Sequence, residues 1–486
     1  MAGPGGAVRV AAVSDFIAPA PACVVVEGAG APGAGAAAEG VPAGGRMGLH
    51  APGGGKADEA PVLVSLHDCL ACSGCVTSAE SVLLEHQSAR ELEERLADGF
   101  SVVVTLSPPA VASLAQRAGL RPSEAQGSLV AFFRGIGAAA VLDDSAGREL
   151  ALLEAADEFV ERFQARARGA QEGGTGPGGG SEEAAGPLPM LASECPGWVC
   201  YAEKTHGAAV LPYLAAGRSA QGMAGGLTKR LLGGRLGVPP ERIYHCAVAP
   251  CYDKKLEASR ADFAPAGIPE TDCVLTAGEV QRLLEERGVD LDTIEAQPLD
   301  SLTTPPEAGP GGGGALPGGE TASGGYLHFV YREAARRLFN AEVPLGALPL
   351  ERGRNPDFHE LTLRGPDGEP QLRFAQAYGF RNIQNVVRNL KRGKSKYDYV
   401  EVMACPSGCL NGGGQVKPRE GETNKELLLA LEGLYGAGFE FRNPYPAAAA
   451  ARRALEEAGG DPRAAARTEY HAREQAPPAL TVLSNW

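Results

Sequence analysis

The chain has 486 residues, 44% hydrophobic and 21% charged, enough to bury a sizeable core over two or three domains. A formal net charge of −14 argues against a general nucleic-acid or anionic-membrane binder. No run of about eighteen apolar residues occurs, so no membrane span is predicted. The start, Met1-Ala2-Gly3-Pro4, lacks the basic-then-apolar order of a secretory leader and carries little arginine beyond Arg9, which favours a cytosolic reading. In that reducing compartment, clustered cysteines bind metal or react and seldom form structural disulfides.

Residues 1–60 hold Cys23 and then a Gly/Ala/Pro tract too poor in large apolar side chains to order itself. Similar tracts near 169–187 and 305–325 are read as flexible insertions. Residues 61–99 form a small second block carrying a cysteine cluster, 100–470 form the main block, and 471–486 form a tail. Within the main block Ser101–Leu106 is β-branched and apolar, as a buried strand requires, and Ala139–Leu142 is a second candidate. Leu152, Leu153, Ala156, Phe159, Val160 and Phe163 recur at helical spacing. Further strands are predicted at 188–192, 243–249, 272–276, 372–377 and 398–404. Helices are predicted near 198–216, 278–287, 380–391 and 424–435. This alternation predicts parallel sheets flanked by helices.

The chemistry lies in the cysteines. Cys69, Cys72 and Cys75 match the first three positions of the ferredoxin run C-x2-C-x2-C-x3-C-P, but Ala79 and Glu80 stand where the last Cys and Pro belong. A fourth thiolate must come from elsewhere, and Cys23 is the only cysteine upstream. The flexible tract between them makes that return easy. The competing readings are a structural zinc site helped by His67, and Cys23 as a packed thiol. In the main block Cys195, Cys251 and Cys405 each follow a strand-like run, and α/β folds gather their ligands at the carboxyl ends of parallel strands. Cys405 and Cys409 are a helical turn apart, and Gly412-Gly413-Gly414 lets backbone approach an inorganic centre and donate N–H bonds to its sulfurs. Gly393-Lys394-Ser395 ends like a P-loop but lacks the first glycine; the basic run Lys391–Lys396 reads as a solvated helix end.

SECPGW, APCYDKKLE and VMACPSGCLNGGGQ resemble the three active-site signatures of iron-only hydrogenases, over roughly residues 61–440. With DFIAPAPAC and DCLACSGCVTSAES at the front, the pattern is most similar to one branch, the hydrogenase-like cytosolic iron–sulfur assembly factors, which include the nuclear prelamin A recognition factor relatives. The resemblance implies an α/β fold with an iron-only-hydrogenase-like core of two lobes, each a mostly parallel sheet flanked by helices, and a small N-terminal ferredoxin-like cluster module. It implies two [4Fe–4S] clusters, one on Cys23, Cys69, Cys72 and Cys75 and one on Cys195, Cys251, Cys405 and Cys409. Lys254 matches the lysine that contacts a cyanide of the hydrogenase di-iron unit, and Met403 matches the methionine of the last motif.

Two departures weigh against hydrogen chemistry. Glu194 replaces the proton-passing cysteine and Ala249 replaces a methionine of the di-iron pocket. A carboxylate can carry protons, but its charge is unfavourable beside cyanide-bearing iron. The resemblance thus implies a cytoplasmic, and also nuclear, assembly factor without enzyme activity. Its implied partners are cluster-scaffold P-loop ATPases and the WD-repeat adaptor of the cytosolic iron–sulfur targeting complex, with no nucleic acid and no membrane. The alternatives are an active [FeFe]-hydrogenase with a glutamate relay and a prelamin-binding interaction protein. Cys200, Cys246 and Cys273 are read as core thiols, Cys200 alternatively as a landing site for a cluster. The terminal Leu483-Ser484-Asn485-Trp486 partly matches the tripeptide read by the targeting complex.

Overall fold

The computed structural model describes residues 84–171, 186–302, 315–353 and 355–473. Cys23, Cys69, Cys72, Cys75, Trp486 and residues 61–83 of the expected ferredoxin-like module lie outside the described residues.

Two sheets organise what is described. The first has the order β2-β1-β4-β5 and is parallel throughout: β1 (Ser101–Leu106), β2 (Ala140–Asp143), β4 (Ile243–Ala249) and β5 (Cys273–Thr276). Its strands are nearly continuous apolar runs because helices cover both faces. Helix α1 (Ala89–Ala97) precedes β1. Helix α2 (Pro108–Ala118) opens with two prolines, whose missing N–H groups cost nothing in a first turn, and stops at Gly119 with φ +71°. Helix α3 (Pro122–Gly135) packs beside it. Thr276 and Glu279 form a capping box that starts α8 (Ala277–Glu286).

The second sheet has the order β3-β10-β9-β8-β7. Strands β3 (Met190–Ala192), β10 (Tyr399–Met403) and β9 (Pro370–Tyr378) are parallel. Strands β8 (Phe358–Arg364) and β7 (Glu351–Arg352) continue antiparallel as an exposed edge. Helix α10 (Phe380–Lys391) follows β9, and α9 (Tyr326–Phe339) lies against β9 and β10. The long α4 (Ser145–Gln171) packs on α6 (Ala220–Leu227), α9 and α12 (Tyr445–Glu457). Phe159 from α4 meets Phe374 and Tyr399 edge-on at 5.0 and 5.7 Å, anchoring the helix to β9 and β10. Helix α11 (Asn424–Gly438) runs into β11 (Phe439–Phe441), which pairs with β6 (Leu316–Gly318).

Two expectations need correction. Residues 315–325 were expected within a flexible insertion; they form β6 and a tight turn, because β11 supplies a strand partner and the Tyr435 hydroxyl accepts from Gly319 N–H at 3.1 Å. The helix expected over 198–216 breaks up after α5 (Pro196–Tyr201) into a wide turn and two tight ones. Gly207 at φ +47° and Pro212 end its regular bonding.

Helix α4 also carries a pH-sensitive group. Glu149 is 7% exposed, and one of its oxygens has no hydrogen-bond partner among the described residues. Burial raises its pKa from 4.5 to about 7. A carboxyl whose folded value is raised favours the fold at low pH and loses that contribution as pH rises toward 7. Glu149→Gln should therefore be more stable than the wild type at about pH 8, by up to about 3 kcal/mol, with little difference at about pH 4. Urea midpoints at both values test this. Equal differences at both would remove Glu149 as the titrating group.

Candidate metal centre

Three strand ends deliver four thiols to one place. After β3, the Ser193 hydroxyl donates to Val402 O at 2.5 Å and accepts from Cys195 N–H at 3.0 Å, fixing the turn. Pro196 then starts α5, and the fully buried Trp198 anchors it. The Cys195 sulfur lies within reach of the backbone N–H groups of Trp198 and Ala404. Cys251 follows β4 after one proline and leads into α7 (Asp253–Ala258). Cys405 follows β10, and Ser407 and Gly408, both at positive φ (+59° and +77°), turn the chain so that Cys409 faces back.

The loop after Cys409 crosses from the second sheet to the first. Gly414 N–H donates to Pro250 O at 3.0 Å, and Gly278 N–H donates to Gly414 O at 2.9 Å. The Gln415 amide donates to Cys409 O at 3.1 Å and to Pro109 O at 3.0 Å. A Cβ on Gly414 would stand 2.6 Å from Thr276 Cγ2 and 3.1 Å from Cys251 Cα, and one on Gly412 would run into Pro250 O. Glycine is required here by close backbone approach.

The four thiols are free, and they feel one another electrostatically: Cys251 is influenced by Cys195, Cys405 and Cys409, and Cys405 by Cys195 and Cys409. Burial pushes Cys195 up to about 11 and Cys409 up to about 12, and raises Cys251 and Cys405 well above the usual thiol range. Such buried thiols become thiolates when a cation takes the proton's place. Among the described residues no three His, Cys, Asp or Glu side chains close tightly on a single ion. One tetrahedral metal at ordinary metal–sulfur lengths would draw its sulfurs to about 3.8 Å apart. A cube places its irons and sulfides between the thiolates and needs a wider cage, and four buried thiols beside the close-approaching backbone of Gly412 and Gly414 suit such a centre.

Beside Cys409 lies a cavity of about 50 Å³, bordered by Asp144, Glu194, Ala249 and Lys254. This is room for a few waters. Glu194 does not point freely into it. Its Oε1 accepts from Lys254 Nζ at 3.0 Å, its Oε2 from Tyr326 OH at 2.8 Å, and both oxygens from Ala220 N–H at 3.1–3.2 Å. Lys254 Nζ also donates to Glu257 at 2.8 Å. Burial alone would lower the Lys254 pKa; Glu194 and Glu257 more than reverse this and hold it charged. Met403 is buried next to the Cys405 turn.

Sequence reasoning did not find Tyr326, Glu257 or Ser323. Ser323, 2% exposed, accepts from Cys409 N–H at 3.1 Å, and its hydroxyl also reaches the Cys409 sulfur and Tyr378. Tyr378 donates its own proton to Glu401 at 2.5 Å. Of the remaining cysteines, Cys246 and Cys273 are fully buried cross-strand neighbours on β4 and β5. Cys200 lines a small cavity with Cys195, Arg218 and Arg260.

Comparison with known proteins gives the family and the fold. The family model "Iron only hydrogenase large subunit, C-terminal domain" matches residues 100–413. An apo [FeFe]-hydrogenase from Chlamydomonas reinhardtii shares the fold with a TM-score of 0.64, at 24% identity over 79% of this chain and 98% of that one. Cytosolic iron-sulfur assembly component 3 of Mus musculus is 44% identical over 99% of this chain and all of its own length. Protein NAR1 of Arabidopsis thaliana is 44% identical over 77% of this chain and 78% of its own. The chain belongs to the iron-only-hydrogenase-like family, in the branch of the cytosolic iron–sulfur assembly component 3 and NAR1 proteins.

Proposed function

We propose that the chain is a cytosolic iron–sulfur assembly factor that holds two [4Fe–4S] clusters and assists their delivery to cytosolic and nuclear apoproteins. The first cluster would sit on Cys23, Cys69, Cys72 and Cys75 and the second on Cys195, Cys251, Cys405 and Cys409. Scaffold P-loop ATPases would stand upstream, and the WD-repeat adaptor of the targeting complex downstream. A bound cube supplies reversible one-electron exchange and exchangeable iron sulfide. The protein supplies thiolates, backbone N–H donors to sulfur and exclusion of water. No helix among the described residues is long and apolar enough to cross a membrane.

The observation that carries the reading is the pairing of four converging thiols with a neighbouring carboxylate locked to Lys254 and Tyr326. A group already held by three donors is poorly placed to shuttle protons. Anaerobic purification with iron and sulfide analysis, EPR and infrared spectroscopy tests it. The expectation is EPR of two cubes and no infrared bands from iron-bound CO or cyanide. Such bands, with hydrogen evolution, would return the protein to the hydrogenases.

Ser323→Ala offers a finer test. A hydrogen bond to a ligating sulfur stabilises the more negative, reduced cluster. Its loss should lower the midpoint potential of the second cube by about 40 mV, taking roughly 1 kcal/mol for the bond. EPR-monitored redox titration measures this. An unchanged potential at full iron content would mean that the hydroxyl serves only the backbone.

A further inference from the structure

Helix α10 carries a basic stripe that the fold does not use. Arg381, Asn385, Arg388 and Arg392 recur at the spacing of one helix face, and all are exposed. Among the described residues none of the four side chains makes a hydrogen bond or ion pair. Arg388 and Arg392 suit the carboxyl end of a helix dipole, but Arg381 does not. It stands in the first turn of α10, where a cation is unfavourable and where no acidic residue balances it. On a chain of net charge −14 such a local excess is against the trend.

The stripe borders an open groove of about 890 Å³ lined by Asp357, Phe358, Phe380, Arg381, Asn385 and Pro406; among the described residues Arg381 is its one cation and Asp357 its one acid, and Asp357 accepts from Ser407 N–H at 2.7 Å. Phe380 is 38% exposed and packs edge-on against Tyr201 of α5 at 4.9 Å. Pro406 directly follows Cys405, and Gly379 N–H, at the start of α10, donates to Met403 O at 2.9 Å. The groove therefore lies against the loop and the helix that carry two of the candidate ligands. Its exposed amides match the needs of an extended backbone, its rings offer a seat for one apolar side chain, and Arg381 with the stripe along its edge calls for carboxylates. The overall negative charge disfavours a nucleic acid as occupant.

We propose that this groove docks an acidic, aromatic-bearing polypeptide segment of a partner protein beside the second metal centre. The proposal rests on the assembly-factor reading only for why a partner should dock there; binding itself can be measured whether or not clusters are present. The probe is a fluorescein-labelled peptide, Asp-Glu-Asp-Phe-Glu-Asp-Leu-Glu, titrated by anisotropy with the full chain, its iron content measured on the same sample. Saturable binding is expected, weakening with added salt. Arg381→Glu with Arg388→Glu should weaken it roughly tenfold or more. Phe380→Ala should weaken it without changing charge, and Arg282→Glu with Arg453→Glu, exposed cations elsewhere, should leave it unchanged. Should the double arginine variant fold poorly, Asn385→Asp introduces the opposing charge at a single exposed position. The proposal is overturned if the wild type shows no saturable binding, if the elsewhere-placed pair matters as much as the stripe, or if single-stranded oligothymidylate binds the groove more tightly than the peptide.

Discussion

Cys251→Ala is expected to empty the second centre while leaving the first in place: iron and sulfide should fall from about eight to about four of each per chain. Cys251 is the single candidate ligand from the first sheet; Cys195, Cys405 and Cys409 follow strands of the second. Three thiolates leave one iron open, and at 9% exposure Cys251 has little water nearby to fill the gap. The substitution removes one sulfur from a helix-leading turn, so the two sheets themselves should persist by circular dichroism. Cys23→Ala should also lower iron content, but with the EPR signal of the other cube remaining. Full iron in Cys251→Ala would break the assignment of this residue and with it the cage.

The second large effect is on stability. Arg162 and Glu158, both about 4% exposed, form a buried pair on α4 at 2.5 Å. The guanidinium also donates to Pro187 O, Pro212 O and Leu214 O at 3.0, 3.2 and 2.7 Å, and Glu158 accepts from Ala216 N–H at 2.9 Å. One ion pair thus satisfies the backbone of the irregular stretch between α5 and α6. Arg162→Met leaves a buried carboxylate and four carbonyls, Tyr213 O among them, without their donor, and a loss of roughly 3–5 kcal/mol is expected. Denaturant midpoints measure it. The double variant Arg162→Met with Glu158→Leu should recover part of the loss, since the charge left behind accounts for much of it. No recovery would assign the effect to the carbonyls alone.

The sheet strands were largely legible because buried parallel strands write themselves as β-branched apolar runs: 101–106 and 243–249 coincide with β1 and β4. Strand β8 was not, because it lies near an exposed edge and its sequence, FHELTLR, is mostly polar. Helix α9 was obscured by the glycine-rich tract before it. The convergence of Cys195, Cys251, Cys405 and Cys409 was legible from their place after strands. The surroundings of Glu194 were not: Tyr326 lies 132 residues away and Glu257 reaches it only through Lys254, so no local pattern announces either. Ser323 sits in a segment whose composition reads as linker, yet Gly408, lacking a side chain, leaves it the space to approach.

The crossing loop from Cys405 to Gln415 has a mechanical consequence. Its backbone is bonded into both halves of the molecule, and the four candidate thiols straddle the same seam. Filling the centre would fasten the halves together, and withdrawing it would undo a structural rivet. A centre held in this way would be released only when the halves part.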